Sequence, residues 1–126
     1  MSTKIYAVDF DNCLSLSGHF PDVGRPNTEL FKWLIQKQSE GNIVVLWTCR
    51  CDKALQVAVD FCKANNFTPD YVNENVPEMI EKFGNDSRKV FAHVYVDDCC
   101  RTPWEVIDYK PKEKPIVQRR KARIVR

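Results

Sequence analysis

A chain of 126 residues, 44 % hydrophobic and 29 % charged with only four glycines, reads as one ordinary soluble globular domain. No apolar run approaches the ~20 residues that cross a bilayer, so a membrane role is excluded as an expectation. The net charge of +2 hides a division: residues 110–126 hold eight Lys or Arg against Glu113 alone, leaving 11 basic and 16 acidic residues, or −5, on residues 1–109. A mildly acidic body with a strongly basic tail suits an anionic partner such as nucleic acid, and equally a solvated terminus.

The first predicted element is Lys4-Ile5-Tyr6-Ala7-Val8-Asp9-Phe10, an apolar run rich in strand formers that ends in acids and reads as a buried strand. Residues 12–25, with Ser, Gly, Pro and Asp, read as a loop or hairpin. A helix opens at Pro26-Asn27-Thr28-Glu29, with Leu30, Phe31, Leu34 and Ile35 on one face and Gly41 beyond its end. Ile43–Trp47 is a second buried strand. Asp52 is expected to cap the following helix, whose inward stripe is Leu55, Ala58, Val59 and Cys62. Pro69–Asn73 fits a short third strand. Pro77 starts a brief helix carrying Met79, Ile80 and Phe83, which Gly84 stops. His93–Val96 is a fourth strand running into Asp97-Asp98, and Trp104–Tyr109 reads as an edge strand.

Strands alternating with helical segments predict βαβ units: an α/β fold with a parallel sheet of about five strands and helices on both faces. The domain is expected over residues 1–109 and the basic tail over 110–126. Met1–Lys4 leads straight into a strand without a signal-peptide layout, which sets a cytoplasmic location as the expectation. Six cysteines then read as reduced thiols. His19 and His93 need no special role.

Parallel sheets place ligands at the carboxyl ends of their strands. In extended backbone, Asp9 and Asp11 point to one side, and two acids there call for a divalent cation. Thr48, Cys49 and Arg50 follow the second strand, where a hydroxyl and backbone amides can hold phosphate oxygens. Asp97 and Asp98 are oxygen donors suited to a hard cation such as Mg²⁺. Lys89, eight residues upstream of Asp97, can reach the same cavity. Asn73 and Arg50 are candidate substrate contacts, and both residue types are also common as turn and surface residues.

The order Asp-x-Asp, Thr, Lys, Asp-Asp resembles the four motifs of the haloacid dehalogenase superfamily, carried by Val8–Asp11, Trp47–Arg50, Lys89 and Tyr95–Asp98. The likeness spans residues 4 to about 100 and is nearest to the small hydrolases without a cap domain. It implies a Rossmann-like domain and a Mg²⁺-dependent phosphatase acting on a phosphorylated substrate. Asp9 would be the nucleophile, Asp11 the general acid and base, Thr48 the phosphoryl ligand and Lys89 the neutralising charge. Mg²⁺ would take Asp9, the Asp11 carbonyl and a motif-four acid, with Asp98 favoured over Asp97. Departures are Asn12-Cys13 after Asp11, and Cys99-Cys100 before Arg101.

Two rival readings stand beside this one. A receiver module also has strand-end acids, Thr and Lys, yet it places its acid pair first. A thiolate zinc or redox site would join Cys49 and Cys51 to Cys99 and Cys100, without the usual Cys-x-x-Cys spacing.

Overall fold

The computed structural model describes residues 3–100 and 102–108; the expected basic tail lies outside the described residues. The elements run β1 (Ile5–Val8), β2 (Ser15–Leu16), β3 (Arg25–Pro26), α1 (Thr28–Ser39), β4 (Ile43–Leu46), α2 (Asp52–Ala64), β5 (Tyr71–Val72), α3 (Pro77–Phe83), β6 (Val94–Val96) and α4 (Pro103–Asp108). Four strands form one parallel sheet in the order β5-β4-β1-β6, and β2 and β3 form a separate antiparallel hairpin.

The sheet's two faces are covered by different helices, which follows from right-handed crossovers running outward from β1 in opposite directions. Alternation along the strands sends Tyr6, Val8, Val44 and Leu46 to one face. There they pack against Phe31 and Leu34 of α1 and Ala58 and Cys62 of α2. Ile5, Ala7 and Val45 point the other way, onto Val76, Val90 and Ala92, with Met79 of α3 beside them. Each fully buried Val, Leu or Phe contributes about 1.5–3 kcal/mol, so the two central strands anchor both cores. His93 is structural, as its Nδ1 accepts from the Ile5 amide at 2.8 Å.

Local chemistry sets the element ends. Asn27 caps α1 by accepting from the Leu30 amide at 3.2 Å, and its amide nitrogen donates to the Cys13 carbonyl at 2.9 Å, tying the helix to the hairpin. Gly84 ends α3 in the left-handed conformation, with φ of 76°. Gly24 is required where the hairpin closes, because a Cβ there would collide with the Leu16 carbonyl.

Three expectations are corrected. Asp52 is not a cap: it is the first residue of α2, and Cys51 holds the cap position without a side-chain bond. The segment from Trp104 is helical rather than an edge strand, because Thr102 and Glu105 cap each other's amides at 3.2 and 3.1 Å around Pro103. Tyr109 lies outside the described residues. The main sheet therefore has four strands among the described residues, not about five.

Candidate functional site

Parallel pairing sets Val8 level with Leu46 on one side and with Val96 on the other. Asp9, Trp47 and Asp97 therefore leave the sheet together, and the Asp9 amide donates to the Val96 carbonyl at 2.8 Å. Strand order reverses between β1 and β6, since the chain first builds toward β5 and then crosses back. Such a switch point opens a crevice at the carboxyl ends. Asp9 and the Asp97-Asp98 pair flank it.

The acids form one electrostatic unit. Burial, then the neighbouring Asp97 and Asp98 carboxylates, push Asp9 up to about 6, against the Phe10 amide that pulls it down; Asp98 also shares a hydrogen bond with Asp9. Ligand atoms of Asp9, Cys13 and Asp98 lie within 4.8 Å of one another, as do those of Asp97, Asp98 and Cys99. Asp97 turns one oxygen to the Cys99 amide, 2.9 Å away. Burial and the same acids raise the Cys13 thiol to about 12, so in this setting it is a protonated neighbour rather than a thiolate. Crowded carboxylate oxygens of this kind fit a hard divalent cation.

Asp11 does not join them. The chain turns immediately after Asp9: the Phe10 carbonyl accepts from the amides of Cys13, Leu14 and Ser15, and Asn12 has φ of 60°. Extended alternation ends there, so spacing no longer places Asp9 and Asp11 on one side. Asp11 instead pairs with Arg50, whose Nε and Nη2 reach its two oxygens at 2.9 and 2.8 Å. Arg50 is 2 % exposed. Its remaining donors bond to the carbonyls of Pro21, Ala54 and Asp22 at 2.8, 3.1 and 3.3 Å. The guanidinium also lies 4.9 Å from the Phe10 ring and 5.0 Å from the Phe20 ring. Arg50 is thus a buried tie between the start of α2, the 17–24 loop and Asp11, rather than a free substrate contact.

The other expected residues divide. Thr48 is half-buried at the end of β4; its hydroxyl accepts from the Arg50 amide at 3.1 Å, and its own amide donates to Asn73 at 2.8 Å. Asn73 therefore braces the 48–50 loop instead of reaching outward. Cys49 is exposed. Lys89 stands 5.4 Å from the Tyr95 ring and, with Asp97, lines a cavity of about 600 Å³ between Trp47 and Tyr95 over Ala7. Among the described residues, neither cation-capable group joins Cys49 or Cys51 to Cys99 or Cys100. Sequence reading missed Cys13 and the Asp11–Arg50 bridge. A cysteine two residues past the second acid was a visible oddity, but nothing local revealed the bridge.

No protein-family model and no curated protein matches the chain. The fold is similar to a solved structure described as the conserved protein coded by locus from Bacteroides thetaiotaomicron, at 27 % identity and a TM-score of 0.68 over 84 % of this chain and 87 % of that one. The likeness covers most of both chains and makes the α/β architecture common to both.

Proposed function

We propose that the chain is a Mg²⁺-dependent phosphomonoester hydrolase of haloacid dehalogenase type with Asp9 as nucleophile. The supporting observation is the convergence of Asp9 with Asp97 and Asp98, from opposite ends of the chain, on one half-buried switch point where their charges act on one another. A carboxylate so crowded is poised for cation binding and for covalent work. Mg²⁺, held by Asp9 and Asp98, would supply charge neutralisation at the phosphoryl oxygens.

The chain's own groups divide the work. Asp9 attacks phosphorus, forming an aspartyl-phosphate as the ester oxygen leaves. Asp11 supplies a proton to that oxygen and later takes one from the water that cleaves the intermediate. The Thr48 hydroxyl binds the phosphoryl group at the end of β4, and Lys89 balances its charge from across the crevice. Asp97 holds the 97–99 turn. Phosphorylated substrates with a nucleotide or nucleic-acid moiety suit the basic residues 110–126.

The test is phosphate release from p-nitrophenyl phosphate with and without Mg²⁺. Release should require the cation, and Asp9→Asn should lower it by at least about 10⁴-fold while far-UV circular dichroism is retained. Turnover by Asp9→Asn at the wild-type rate, or a wild type inert with Mg²⁺ on a broad panel of phosphoesters, removes the reading.

A further inference from the structure

We propose that Arg50 is a positioning residue for Asp11, orienting its carboxylate for proton transfer and coupling it to the 17–24 loop. The inference rests on the phosphatase reading and concerns a residue that the sequence alone offered as a candidate substrate contact.

The geometry argues against direct substrate binding by Arg50. Its guanidinium is buried and its donors are taken by Asp11, Pro21, Ala54 and Asp22. Three of those partners are backbone carbonyls, which hold the guanidinium from behind while its fork faces Asp11. Asp11 is the variable partner: its side chain is 41 % exposed, against 1 % for Arg50. A carboxylate has about four lone-pair positions, and the guanidinium fork takes two. The outer pair remains open to solvent and to a substrate oxygen. Asp11 can thus accept a proton from water while still gripped from behind, with its rotamer fixed by a bidentate contact.

The same fork carries the loop. Pro21 and Asp22 bond to Arg50 through their carbonyls, and Phe20 covers its face. Ser15 holds the other side of this loop by accepting from the Gly24 amide at 2.7 Å. Removing the Asp11 carboxylate deprives the guanidinium of the anionic partner it has among the described residues, so its hold on the Pro21 and Asp22 carbonyls, and with it the loop, should loosen.

Two measurements on the full chain test this. In the first, Arg50→Lys, Asp11→Asn and the double variant are assayed with Mg²⁺ on p-nitrophenyl phosphate and on β-glycerophosphate, whose alkoxide leaving group needs a proton far more. Arg50→Lys should lower kcat on the glycerol ester by about 100-fold, several-fold more than on the aryl ester, with KM nearly unchanged. The double variant should be no slower than Asp11→Asn alone. A raised KM with intact kcat would make Arg50 a direct phosphoryl ligand; equal losses on both esters, or additive losses, would make it merely structural. Each of these outcomes overturns the proposal. The second measurement needs no activity: amide hydrogen exchange in Asp11→Asn should quicken by about tenfold or more at Asp22 and Gly24 while β1 and β4 stay protected. Unchanged exchange in the loop overturns the coupling. A wild type that releases no phosphate refutes the phosphatase reading itself, whatever the exchange shows.

Discussion

Asp9 and Asp11 are two residues apart and carry the same group, yet the fold gives them opposite surroundings. Asp9 sits half-buried among other acids, and burial with their charges holds its carboxyl well above the ordinary range. Asp11, more open to water, has the fork of a buried arginine against both oxygens. Spacing in the sequence sets neither environment. What decides them is the partner each strand end meets: β6 brings acids to Asp9, and the β4–α2 turn brings a cation to Asp11. One carboxylate is left wanting positive charge and the other already has it, a difference that variants can measure.

The largest expected effect lies on the Arg50 side. Arg50→Ala removes the ion pair, leaves three carbonyls to find other donors, and opens space between two rings. It should cost about 3–5 kcal/mol, read as a lower urea midpoint at unchanged m. A loss under about 1 kcal/mol would mean that water replaces these contacts easily, which contradicts a buried tie. Next in size is the cation effect at the Asp9 cluster. Mg²⁺ at about 100 times its dissociation constant should stabilise the wild type by about 2.7 kcal/mol. Asp98→Asn should blunt that gain while Asp11→Asn leaves most of it, because the Asp11 carboxylate is engaged elsewhere. Equal loss in the two variants would erase the distinction between the two aspartates.

Asp9→Asn should move stability the other way from Arg50→Ala. In chelator, the folded Asp9 carboxyl titrates near 6 against 3.8 for an ordinary aspartate. Its contribution to stability is fully present below pH 4 and is lost as pH rises through about 6, since the unfolded chain ionises first. Asparagine carries no charge to lose. The variant should therefore match the wild type near pH 4 and exceed it by about 1 kcal/mol at pH 8, a modest figure because a half-exposed carboxylate is partly screened. A wild-type advantage that grows with pH would show that the acids are stabilised by a cation partner even under chelation.

The sequence made the sheet legible where apolar runs are short and bounded. Ile5–Val8 and Ile43–Leu46 are buried on both faces, so each reads as a strand without knowledge of its neighbours. The Asp-Asp pair after Val96 was legible in another way, as acids that close a short run of strand-forming residues, although β6 itself is largely exposed. The Thr102-Pro103-Trp104-Glu105 box was equally readable as a helix start, but the β-branched and aromatic residues beyond it pointed to a strand. Arg50 was not legible. An arginine is rarely buried, and its partner Asp11 lies 39 residues away, brought near only by the register of β1 against β4 and the turn after Phe10. Asn73 misleads in a similar way. An exposed-looking amide after a short strand invites a ligand, whereas its carbonyl oxygen satisfies the Thr48 amide.

The finest distinction concerns what holds Arg50 in place. Phe20 is 67 % exposed and covers the guanidinium from the loop side, while Phe10 is fully buried and covers it from the core. If polar anchoring dominates, Phe20→Ala should cost only about 0.5 kcal/mol, the size of an exposed cation–π contact, because the carbonyls and Asp11 still hold the fork. A loss of about 2 kcal/mol or more would show that Phe20 keeps water from the bridge and that the Asp11–Arg50 pair is stable only when shielded. The two outcomes differ in salt dependence as well. A shielded pair ignores added salt, whereas in Phe20→Ala the newly exposed pair would weaken as ionic strength rises past about 0.15 M. Thermal unfolding of the two proteins at low and high salt reads both effects at once.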